Sequence, residues 1–186
     1  MARVLPLLLL AALGASADEK PERVLQELTR KLERRRAMPS PTPVNTFLHD
    51  QAAGLIERAS EAQRSRYLFD RLTRAAEQLL EASESIFEAK PDNDRDDDDR
   101  QEAARRLERT YFRVQQADYF AAQGKREDGG AFTRHCRALY QQARAAYDQN
   151  DYRTARKLAE AAAGIVSALE RMAQAEVRVP EPPRLK

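Results

Sequence analysis

"LFDRLTRAAEQLLEASESI", residues 68–86, places Leu68, Leu72, Ala75, Leu79, Ala82 and Ile86 at alternating steps of four and three. That spacing keeps one apolar seam along a helix and suits shallow left-handed packing against neighbouring helices. The segment is predicted to be helical from about Ser65 to Ala89. The rest of the chain has the composition to match. Ala, Leu, Arg, Glu and Gln dominate, Trp is absent and Gly numbers only 6 in 186 residues. These are strong helix formers, so an all-α chain is expected.

Five further helices flank the seam. The first covers about Pro21 to Ala37, with Val24, Leu25, Leu28 and Leu32 on one face and the basic cluster Arg34-Arg35-Arg36 at its end. "MPSPTP" then breaks the chain. Thr42 is a good N-cap and Pro43 fits the first helical position, where its missing N–H costs nothing. The second helix runs to about Gln63, with Val44, Leu48, Leu55, Ala59 and Ala62 on a stripe. The fourth starts within an aspartate run and is predicted to continue unbroken to about Gln123. Its inner face holds Ala103, Leu107, Val114, Ala117 and Ala121. The fifth spans about Ala131 to Gln149, with Phe132, Cys136, Leu139, Ala143 and Ala146 inward. The sixth spans about Asp151 to Glu176, with Tyr152, Ala155, Leu158, Ala162, Ile165, Leu169 and Met172 inward. Short connections make sequential neighbours antiparallel. The expected fold is an up-and-down bundle of long antiparallel helices, its first helix docked or detached.

The organisation follows from the breaks: 1–17 an export signal, 18–38 an amphipathic basic helix, 39–43 a Pro-rich linker, 44–178 the bundle and 179–186 a Pro-rich tail. The opening "MARVLPLLLLAALGASADEK" has Arg3 before an apolar run and Ala15-Ser16-Ala17 before charged residues, the pattern of a cleaved signal peptide. A spanning helix needs about 20 apolar residues, and this run is shorter. A single cysteine, Cys136, excludes an internal disulfide. These features favour an exported, periplasmic location in a bacterial envelope. Lys and Arg total 32 against 30 Asp and Glu, so no global field draws nucleic acid or anionic lipid.

"LYQQARAAYDQNDYRTARKLAEAA", residues 139–162, resembles a tetratricopeptide-type helical hairpin. Leu139, Ala143 and Ala146 match on the first helix, and Tyr152, Ala155, Ala159 and Ala162 on the second. The family usually ends the second helix with proline, whereas this chain has Ser167 near that position. The same flavour occurs in alanine-rich helical envelope proteins. The resemblance implies close helix packing at those sites and binding to another protein rather than catalysis.

The chemistry-bearing residues are few. "KPDNDRDDDDRQE", residues 90–102, holds six aspartates between Asp92 and Asp99. A calcium loop needs glycine at position 6 and glutamate at 12. Starting at Asp92 gives Asp97 and Ala103 there, and starting at Asp94 gives Asp99 and Arg105. The economical reading is a charged loop whose aspartates open a helix, cap its free N–H groups and oppose its dipole favourably. His49 and His135 lack partners at metal-ligand spacing, and Cys136 lies on an apolar stripe. Catalytic, cofactor and metal residues are therefore all expected to be none.

"YFRVQQADYF", residues 111–120, carries two Tyr-Phe pairs eight residues apart. They are offset by about 80° on a helix and cannot share one seam. Either the pairs pack on two neighbouring helices, or one pair lines a groove. Tyr119, Phe120, Tyr111 and Asp118 are the candidate interaction surface: the Tyr111 and Val114 side is expected in the core, Tyr119 is expected outside it as the binding residue, and Asp118 requires a cationic partner. Two functions stand at this level: a non-enzymatic interaction or scaffold protein with an unidentified protein partner, or a bundle that binds a small ligand or cation.

Overall fold

Thr42 begins the first well-capped helix of the structure, a computed structural model that describes residues 19–39, 41–90, 97–124 and 127–176. Its Oγ1 accepts from the Asn45 amide at 3.2 Å, and Pro43 takes the first helical position. The described helices are α1 (Glu19–Arg36), α2 (Pro43–Glu61), α3 (Arg66–Glu88), α4 (Asp97–Gln115), α5 (Ala117–Gln123), α6 (Gly129–Asp148) and α7 (Tyr152–Glu176). The chain is all-α, and the cross-helix pairs give its directions. His49 near the start of α2 meets Ser83 near the end of α3, Lys157 near the start of α7 meets Glu88 at the end of α3, and Arg106 and Arg113 of α4 pair in the same order with Glu160 and Glu170 of α7. Sequential long helices thus run up and down. The export segment, the aspartates at 92–96 and the 179–186 tail lie outside the described residues.

α7 is the axis of the bundle. It packs against α3, α6, α4 and α5, and its buried residues, from Thr154 to Ala173, occupy about half of its circumference. Small side chains make this crowding feasible. Ala155, Ala159, Ala161 and Ala162 are inaccessible to solvent. At Gly164 a Cβ would come within 3.3 Å of the Ala82 Cβ, so α3 and α7 approach closely there. Tight approach gains dispersion contacts that a larger residue would turn into overlap.

α3 departs from a single-seam helix. Leu72, Ala75, Leu79 and Ala82 are buried as the heptad requires, while Leu68 and Ile86 are only partly covered. A second buried stripe, Phe69, Thr73, Ala76, Leu80 and Ser83, runs beside it. The reason is topological: α3 meets α7 on one side and α1 and α2 on the other.

α1 is docked, not detached. Leu28 and Leu32 are buried, and the basic end is tied down on both sides. Arg35 pairs with Glu84 of α3, and Arg36 donates to Asp50 of α2 at 2.9 Å. The predicted single fourth helix is broken at Gln116, whose amide bonds Arg113 O at 3.0 Å instead of the carbonyl four residues back. That tightened turn separates α4 from α5 with no proline or glycine to announce it.

The α6–α7 turn is built by its polar residues. Asn150 takes a left-handed φ of 61°, which asparagine tolerates better than most residues. The Asp151 amide reaches back to Ala146 O at 2.9 Å, closing the end of α6. Asp151 Oδ1 then accepts from the Thr154 amide at 3.1 Å and starts α7.

Candidate functional site: an aromatic groove between α4 and α6

α4 buries Ala103, Leu107, Thr110 and Val114 against its neighbours, and Ala117 continues the seam at the start of α5. Thr110 holds a position in this seam that an apolar residue would ordinarily take. Its hydroxyl is satisfied there by donating to Ala159 O of α7 at 3.3 Å. Tyr111 is one residue further on and is rotated out. The expectation of a core Tyr111 is thus corrected: the residue is 46 % exposed, and Val114 alone of that pair is buried. Phe112 beside it is 61 % exposed.

These two rings form one wall of a groove of about 410 Å³. Tyr140 and Tyr147 of α6 form the other, and Ala104 and Leu107 lie between them. The Tyr111 and Tyr140 ring centroids are 6.1 Å apart, and Tyr111 meets Phe112 edge to face at 5.5 Å. The charged lining comprises Glu108, Asp148 and Arg144, and Arg144 hydrogen-bonds the Tyr140 hydroxyl. Aromatic faces with polar tips and a guanidinium are the residue types that anchor polypeptide interfaces, because they bury large area with few rotors to freeze.

The second Tyr-Phe pair lies on α5. Tyr119 is 63 % exposed, while Phe120 is partly buried against the core. Asp118 is exposed, and its partner is Arg137 of α6. Tyr111 is therefore placed in the groove, and Tyr119, Phe120 and Asp118 on α5 at the start of the next turn of chain. The hairpin residues Leu139, Ala143, Ala146, Ala155, Ala159 and Ala162 are all buried, and Tyr152 is half-buried with its ring 5.3 Å from that of Tyr147. Sequence reasoning missed Phe112, Tyr140 and Tyr147 as groove residues. The only signal for the α6 pair is their seven-residue spacing on one face, and that face gains meaning only once α4 lies beside it.

The remaining reactive groups are sequestered or committed. Cys136 is buried, and burial pushes its thiol up to about 11. His49 is buried with Nε2 2.8 Å from Ser83 Oγ, and burial, then Arg36 and Arg35, lower its pKa. His135 packs on the Phe47 ring, and burial lowers its pKa too. A cleft at the end of α3 is lined by Phe87, Glu88, Lys90, Arg153, Arg156 and Lys157. Lys157 pairs there with Glu88 at 2.8 Å and Arg156 with Glu102 at 3.0 Å. Among the described residues no group of three or more His, Cys, Asp or Glu is placed to hold a metal ion, and no helix is long and apolar enough to cross a membrane. No protein family, curated protein or solved structure matches the chain.

Proposed function

We propose that the protein is a non-catalytic helical interaction module of the bacterial envelope that docks a partner polypeptide in the groove between α4 and α6. The observation that carries this reading is the exposure of Tyr111 and Phe112 opposite Tyr140 and Tyr147. Covering such a ring is worth about 1.5–3 kcal/mol, so a chain that leaves two adjacent rings in water forgoes stability a partner can recover. The tetratricopeptide-type resemblance of residues 139–162 points the same way, and it includes the α6 stretch that supplies Tyr140 and Tyr147. Envelope location is supported by the residue pattern at 1–20 alone.

A small apolar ligand is the competing reading, because about 410 Å³ falls within the usual range of such sites. One experiment separates the two. Tagged wild type and a Tyr111→Ala/Phe112→Ala variant are purified from envelope extract and compared by mass spectrometry, intact and after digestion. A protein held by wild type and lost from the variant supports docking. A bound small molecule lost from the variant, with no such protein, supports the ligand reading. Identical profiles remove the groove from consideration.

A further inference from the structure

The two walls of the α4–α6 groove share one register. Ala103 clusters with Ala146, and the Tyr111 ring lies 6.1 Å from that of Tyr140, so α4 and α6 lie side by side and antiparallel. By that register Leu107 and Ala143 stand level at the middle. Read in chain order about those two residues, both helices line the groove three positions before and one, four and five after. On α4 these are Ala104, Glu108, Tyr111 and Phe112, and on α6 they are Tyr140, Arg144, Tyr147 and Asp148. Antiparallel helices that present the same positions are related by a local two-fold axis, here passing between Leu107 and Ala143. A face with that symmetry is suited to a copy of itself. We propose that the occupant of the groove is a second copy of this chain, docked face to face about that axis; the proposal rests on the docking role argued above and names its partner. Three observations support it.

The first is charge. Under the two-fold, Glu108 of each copy comes opposite Arg144 of the other, so the pair forms twice. Within one copy the two are not joined: Arg144 hydrogen-bonds the Tyr140 hydroxyl, and Glu108 has no ion pair among the described residues. Arg105 and Arg109, on the flank of α4, come opposite Gln141 and Ala145, so no like charges meet.

The second is shape. Tyr140 of one copy comes opposite Ala104 of the other, a large ring against the smallest side chain of the lining. Tyr111 comes opposite Tyr147, and ring contacts of this kind are favourable beyond the area they cover. Phe112 comes opposite Asp148 at the rim, where the carboxylate keeps its water. α4 of each copy then lies along α6 of the other, as in a four-helix layer.

The third is area. α4 has 19 residues and α6 has 20, so the two helices side by side offer a face about 28 Å long and about 20 Å wide. That is roughly 560 Å² per copy and roughly 1,100 Å² in total. A specific interface needs roughly 1,000 Å² and a standard complex buries roughly 1,600 Å². The face therefore supports a reversible dimer that exchanges at micromolar concentration.

Sedimentation of the purified protein across the micromolar range tests this. Wild type should pass from monomer to dimer as concentration rises. Glu108→Arg sets like charges opposite each other at both symmetric places, and so does Arg144→Glu. Each should weaken self-association about 100-fold or more, at an unchanged urea midpoint because both side chains are exposed. An equimolar mixture of the two single variants should recover the dimer, since each supplies the charge that the other lacks. Such recovery cannot arise within one chain. A wild type still monomeric at about 1 mM, a dimer indifferent to either single variant, or a mixture that stays monomeric would each overturn the second copy. The docking role is judged separately: if wild type is monomeric while Tyr111→Ala/Phe112→Ala still loses an envelope protein, docking stands and the second copy falls.

Discussion

Thr110 and Tyr111 exchange the roles their chemistry suggests. The threonine can be buried because a backbone carbonyl of α7 receives its hydroxyl, and the tyrosine, about 100° further round the helix, faces the groove. Polar residues whose hydrogen-bond partner lies on another helix are invisible to a reading based on apolar spacing. Small residues, by contrast, were legible. Ala159 was expected at a close helix contact, and it has no accessible surface. Ala159→Leu should overpack that contact and cost about 1–3 kcal/mol, measured as a lower urea midpoint at similar slope. Cys136 should behave as a packing residue. With its thiol pushed up to about 11, about one part in a thousand is thiolate at pH 8. A thiol-specific disulfide reagent should therefore react at the rate of unfolding, and fast labelling of native protein would contradict the burial.

Among the helices, the caps and the main seam were readable and the tertiary bookkeeping was not. Thr42 and Pro43 begin α2 where local chemistry places them, and Leu72, Ala75, Leu79 and Ala82 line α3 as spacing requires. The second stripe of α3 was missed because one period can serve two neighbours, and only the packing of α1 and α2 reveals the other. The break at Gln116 was missed for want of any local breaker. The docking of α1 has a consequence for pH. His49 lies buried under its basic end, with Arg35 and Arg36 of α1, Asp50 of α2 and Glu84 of α3 around it. Its folded pKa is lowered below the unfolded value of 6.5, chiefly by burial. The unfolded chain therefore takes up a proton before the folded one does as pH falls. Stability is full above about 6.5 and declines from there towards the folded pKa. Urea midpoints should drop between pH 7.5 and 5.5, and His49→Gln should show a smaller drop, with His135 carrying the remainder. An equal drop in the variant would mean that His49 takes no part.

The bundle as a unit separates stability from surface. Its core is continuous from Leu28 of α1 to Met172 of α7 and includes Phe132, which has no solvent exposure. The groove opens at the edge of that core: Leu107 belongs to both, Tyr140 and Tyr147 pack against the core, and Tyr111 and Phe112 stand out from it. All-α class and up-and-down order were legible because long periodic segments with short connections leave few alternatives. The groove was only half legible: Tyr111 and Phe112 are adjacent in sequence, but Tyr140 and Tyr147 join them through tertiary packing. Truncating a ring that stays 61 % exposed removes less than half of its burial, about 1 kcal/mol at most, and alanine's better helix propensity offsets part of that loss. Phe132→Ala should instead cost about 3–5 kcal/mol. The decisive measurement is the urea unfolding free energy of Phe112→Ala beside Phe132→Ala. If the groove ring is kept for binding, Phe112→Ala falls within about 1 kcal/mol of wild type while Phe132→Ala loses several. If Phe112→Ala loses as much as Phe132→Ala, the ring belongs to the core and the groove is not a docking surface.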